Sequence, residues 1–187
     1  MQAQGRRSSN PTPFTHGQNG FSLIELLIVI AIILIIAAIA IPNLIRSRIA
    51  ANEAAAVSNM RAIVTGSVVY STTYTNGYPP NLAALGPPPG NGNTATCDTA
   101  QLIDEVVAAG AKSGYSFAYT GIGAPVTVGQ GCGAPGFNSY LLTAVPLSPG
   151  MSGNRSFCTT DTGVLRYDLS GALAGSQGAC DALSPLN

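Results

Sequence analysis

With 187 residues, the chain has room for one modest folded domain once any processed N-terminus is set aside. Charged residues make up only 9%, with Lys+Arg and Asp+Glu equal at 8 each, which removes the electrostatic case for a nucleic-acid partner. The single histidine, His16, and four cysteines without a close pair argue against nucleophilic catalysis and a zinc site, so no enzyme and no cofactor is expected.

Residues 1–20 are polar, carry Arg6 and Arg7, and are interrupted by Pro11, Pro13, Gly17 and Gly20, so they read as a leader. Residues 21–41, FSLIELLIVIAIILIIAAIAI, carry one charge and are long enough for about 30 Å of helix, a bilayer crossing. About fifteen Leu, Ile, Val and Phe at roughly −0.3 to −0.6 kcal/mol each outweigh one acid at roughly +3, so insertion into a membrane is favoured. That acid, Glu25, is costly in an apolar span and is expected to be functional or paired.

Residues 42–72 keep a helical period, with Ile45, Ile49, Val57, Met60, Val64 and Val68 near one stripe and Arg46, Arg48, Glu53 and Arg61 on other faces. They predict an amphipathic extension of the same helix. Pro42 is expected to kink it, because proline removes a backbone donor and crowds the preceding turn.

Residues 73–187 predict a globular head. Turn formers such as NGYPP and LGPPPGNGN dominate its first part, interrupted by one helix at about 99–109, capped by Asp98 and ended by Gly110, with Leu102, Val106 and Ala109 facing the core. Antiparallel strands follow at 115–120, 125–128, 139–145, 155–159 and 164–169. Beyond Arg61 three basic residues face six acids, so this part is mildly acidic. Cys97, Cys132, Cys158 and Cys180 all lie in it; in an oxidising compartment they form two disulfides, for which three pairings are open. Asp161 and Asp168 are weak calcium candidates, since Asp is also a common turn residue.

The junction Gly20, Phe21, Ser22, Leu23, Ile24, Glu25, Leu26, Leu27 closely resembles the processing site of type IV pilins and type II secretion pseudopilins. The resemblance covers the first seventy or so residues strongly and the head only in outline. It implies cleavage after Gly20 by a prepilin peptidase, methylation of the new Phe21 amine, and pairing of Glu25 with that amine on its own or a neighbouring subunit. It implies an α+β, pilin-like fold, a long kinked N-terminal helix packed on a small antiparallel sheet. Cys158 with Cys180 would close the C-terminal loop seen in many pilins, leaving Cys97 with Cys132. The expected partners are identical subunits in a filament, the peptidase, and a pilus or secretion assembly machinery. The precursor is expected in a bacterial inner membrane, with its N-terminus cytoplasmic and its head periplasmic. From there it would enter an extracellular filament or a periplasmic pseudopilus.

Two alternatives remain at this level. The segment GYPPNLAAL loosely resembles the major pseudopilin, whereas four cysteines without tryptophan favour a pilin. Arg6, Arg7 and the small residues around Ala38 and Ala40 also suit an ordinary secretory signal, whose cleavage would release a soluble protein starting at Ile41.

Overall fold

The structure, a computed structural model, describes residues 20–90, 92, 94–126, 128–129, 131–172 and 174–186; the readings placed on Arg6, Arg7 and His16 lie outside these. It divides into two units, one ending at Ile41 and the other Pro42–Asn187. The α-helix α1, Leu23–Tyr74, has 52 residues and contains Pro42. In the first unit α1 is a bare apolar rod: every Leu, Ile and Val from Leu23 to Ile41 is exposed, as with Leu34 at 67% and Ile35 at 65%. The helix is long and apolar enough to cross a membrane.

In the second unit α1 buries Glu53, Ala56, Met60, Ile63, Gly66, Ser67 and Tyr70. This corrects the predicted stripe: Ile45 and Val68 are exposed, and Glu53 lies on the core side. The difference comes from small residues, which add little to an apolar count yet let the chain approach closely. A Cβ on Gly66 would stand 3.4 Å from both Leu102 Cβ and Ile103 Cγ2. The Ser67 hydroxyl is kept inside at no polar cost by donating to the Ile63 carbonyl at 2.8 Å.

After α1, a 3-10 helix at Leu82–Leu85 is capped by Asn81, whose side chain accepts from the Ala84 N–H at 3.0 Å. The helix expected at about 99–109 is confined to α2, Glu105–Ala108, and its cap is Asp104, not Asp98. Residues 100–103 cannot be helical because their N–H groups donate elsewhere, Ala100 to the Ala84 carbonyl and Leu102 to that of Leu85, each at 2.8 Å. Gln101 takes φ 56, outside the helical region. The core residue of α2 is accordingly Val107, while Val106 is 54% exposed.

The sheet is a meander in chain order: β1 Ala111–Lys112, β2 Tyr115–Pro125, β3 Phe137–Pro146, β4 Ser156–Thr160, β5 Arg166–Asp168 and β6 Ser184–Pro185, every pair antiparallel. A short helix, α3 at Gln177–Asp181, precedes β6. Of the strand expected at 125–128, only Pro125 is in a strand, as the last residue of β2, where the register with β3 shifts between Ile122 and Pro125; Val126 and Val128 lie outside any strand, and residue 127 is outside the described residues.

Alternation along β2 sends Tyr115, Phe117 and Tyr119 inward, where they meet Met60, Ile63 and Tyr70 of α1 in one core with Tyr140, Leu142 and Phe157. A second cluster of Leu141, Cys158 and Cys180, joined by Ala174 and Leu183, covers the other face, which explains why β4 is buried throughout. The architecture is the α+β, pilin-like one expected, a long N-terminal helix packed with an antiparallel sheet.

Candidate functional site: the N-terminal segment and its anchored helix

Gly20 precedes α1 in an exposed segment without regular secondary structure, and a Cβ placed on it would meet nothing within 4 Å. Phe21 is 81% exposed. The helix then begins through the Ser22 carbonyl, which accepts from the N–H groups of Glu25 at 3.1 Å and Leu26 at 3.2 Å. Glu25 sits in the first turn, where an acid is favoured by the unpaired N–H groups and the helix dipole. Its carboxylate is exposed and, among the described residues, has no ion pair. Gly20, Phe21 and Glu25 thus stand within six positions at an accessible start of the helix, open to a protease and to a second chain. Pro42 lies inside α1 as the first residue of the second unit, and it offers no N–H to the carbonyl four residues earlier.

The helix is fixed to the head by a contact that the sequence reading missed. Glu53 Oε1 accepts the backbone N–H groups of Asn154 at 2.9 Å and Arg155 at 3.2 Å, while Oε2 meets Arg155 Nε and Nη2, each at 2.7 Å. Burial alone would raise the Glu53 carboxyl; the N–H of Asn154, the Arg155 guanidinium and the N–H of Arg155 together outweigh it and hold the group below the usual carboxylate range. Its spacing from Ala56, Met60 and Ile63 is the signal that could have placed Glu53 on the buried stripe.

The four cysteines form Cys97–Cys132, Cα atoms 5.0 Å apart, and Cys158–Cys180, 5.9 Å apart, the pairs preferred from the resemblance. The Tyr70 hydroxyl lies 2.9 Å from Cys97 Sγ, which links the first bridge to the outer part of α1. Asn76, fully buried, accepts from Gly129 N–H at 2.8 Å and donates to the Ala134 carbonyl at 3.1 Å, holding the segment that carries Cys132. Asp161 and Asp168 are not brought together with other ligands. Asp161 accepts from Ser139 and Gln177, Asp168 from the Ser170 N–H, and no group of three or more His, Cys, Asp or Glu suited to a metal occurs among the described residues.

Residues 15–41 match the family described as the prokaryotic N-terminal methylation motif. The chain is 47% identical over 66 residues to the type IV wide pilus major component PilA4 of Thermus thermophilus, covering 35% of this chain and 50% of that protein. It is 48% identical over 52 residues to the type IV major pilin protein PilA of Myxococcus xanthus, covering 28% of this chain and 24% of that one. The matches thus span half the length of the first relative and about a quarter of the second. No solved structure matches the chain. With Gly20, Phe21 and Glu25 at the head of an exposed apolar helix, the N-terminal part of this chain is similar to that of type IV pilins.

Proposed function

We propose that the chain is a structural subunit that polymerises through its N-terminal helix into a type IV pilus-like filament. The observation that carries this reading is the apolar surface of α1 from Leu23 to Ile41, exposed along its whole length and interrupted by Glu25 alone. Such a surface is stable in lipid or among its own copies and in no aqueous setting. In both settings the gain is close packing of Ile, Leu and Ala, so exchanging lipid for a bundle of copies needs only a modest additional attraction.

Glu25 supplies it. Cleavage after Gly20 by a prepilin peptidase creates an amine at Phe21, and N-methylation leaves that amine cationic. Paired with Glu25 of an adjacent copy in a low dielectric, it fixes the axial register of each added subunit. The contact between copies is heterologous and does not close, so it propagates as an open helical fibre. Pro42 gives the helix a place to bend between its apolar and head-bound parts. The work is mechanical and needs no catalytic residue or cofactor.

The precursor waits in the inner membrane, N-terminus cytoplasmic and head periplasmic, for the assembly machinery. The soluble, signal-peptide alternative is disfavoured because α1 continues as helix through residues 38–41, where a signal peptidase needs an extended chain. The two relatives, a type IV wide pilus major component and a type IV major pilin, favour an extracellular pilus over a secretion pseudopilus; recovery in sheared surface fibres, as against confinement to the envelope, separates the two. The test of the assembly contact is Glu25→Ala: processing stays largely intact and filament yield collapses, whereas wild-type yield rejects the amine pairing.

A further inference from the structure

The charges of the second unit are matched unequally. Arg155 is held by Glu53, Lys112 by Asp104 at 2.9 Å, and Arg166 lies 3.8 Å from Asp181. Among the described residues the remaining cations, Arg46, Arg48 and Arg61, all stand exposed on α1 without an ion pair. On the head, Asp161 and Asp168 are used by Ser139, Gln177 and the Ser170 N–H. Asp98 spends one oxygen on the Gly133 N–H at 3.3 Å, and the Glu105 carboxylate has no partner among the described residues.

Asp98 and Glu105 both line one open groove of about 310 Å³, whose walls are Pro87, Pro88, Pro89 and Ala108. Prolines and alanine offer an apolar bed to an aliphatic stem, and two carboxylates beside it offer acceptors to a planar cation. That is the chemistry of an arginine side chain, which the chain carries unpaired on its own helix.

We propose that this groove receives the Arg61 guanidinium of a second copy of the chain. The proposal rests on the polymer reading above and adds a head-level contact to it. Arg61 is selected over Arg46 and Arg48 by height along α1. Segment 102–103, which leads into the groove, crosses α1 at Gly66, five positions beyond Arg61, or about 8 Å at 1.5 Å per residue. Adjacent copies that pair the Phe21 amine with Glu25 are offset by four positions, about 6 Å by the same measure. Arg46 and Arg48 lie about 30 Å below the groove and are out of reach of such a step.

The test is a charge exchange scored by the yield of sheared filaments. Arg61→Glu and Glu105→Arg are each expected to lower the yield about tenfold, and the double variant to restore most of it. Single variants that assemble like wild type, or a double variant no better than the singles, overturn the proposal. As a second measurement, Arg61→Cys with Glu105→Cys should give covalent dimers in oxidised filaments, and Arg46→Cys with Glu105→Cys should not; equal yields from both pairs also overturn it. Absence of any filament from the wild-type chain would sink the polymer reading itself, which keeps the two failures apart.

Discussion

Glu53 on the helix and Arg155 at the entry to β4 meet at 2.7 Å between Oε2 and Nη2, although 102 positions separate them in the chain. The guanidinium also lies over the rings of Phe157, at 5.6 Å, and Tyr167, at 5.7 Å. The carboxylate is therefore satisfied on both oxygens, and α1 is locked to the strands by a polar contact that only one alignment of helix on sheet allows.

Removing the acceptor leaves two part-buried N–H groups and a cation without a partner. Glu53→Ala is expected to destabilise the head by about 3 kcal/mol, and Arg155→Met, which spares the two backbone donors, by less. Thermal unfolding of the detergent-solubilised protein measures both; equal and small losses would mean that the pair is only a surface contact.

The same carboxylate predicts a pH dependence. Its folded-state affinity for a proton is lowered, so its contribution is complete above the unfolded glutamate value of about 4.3 and is lost as pH falls through the lower folded value. Wild-type melting temperature should drop more steeply than that of Glu53→Gln below about pH 4.5. Parallel curves for the two proteins would contradict the assignment.

At Gly136 a Cβ would collide with the carbonyl oxygen of Asn76, part of a backbone that cannot move aside while Tyr78 and Phe137 exchange hydrogen bonds at 2.8 and 2.9 Å. Gly136→Ala should cost about 1–3 kcal/mol. Gly175→Ala, where nothing lies within 4 Å, should be nearly silent in the same melt.

The disulfides differ in access. Cys158 and Cys180 are buried at 1% and 0%, whereas Cys132 is half-buried. A dithiol reductant should therefore open Cys97–Cys132 first, as read by alkylation and mass spectrometry. Each bridge, closing 35 and 22 positions of chain, should contribute about 3 kcal/mol when replaced by serine pairs. Prior labelling of Cys158 and Cys180 would reverse the expected order.

The apolar segment from Phe21, its single acid and the antiparallel head were legible because they depend on local composition and period. Glu53 was not, because a lone charge on an amphipathic helix is ordinarily solvated and its partner lies far along the chain. The cap moved from Asp98 to Asp104 for a similar reason: both residues suit the role locally, and pairing of residues 100–103 with 84–86 decides between them. Strands β1 and β6, of two residues each, exist only as partners of β2 and β5 and carry no pattern of their own. At the N-terminus, Gly20, Phe21 and Glu25 stand out in the sequence because they lie in one short contiguous segment that resembles a pilin processing site.

The most direct measurement is the intact mass and N-terminal sequence of the subunit recovered from sheared surface fibres. The account predicts a chain beginning with N-methylated Phe21. A mature protein beginning at Ile41, found free in solution, would contradict it.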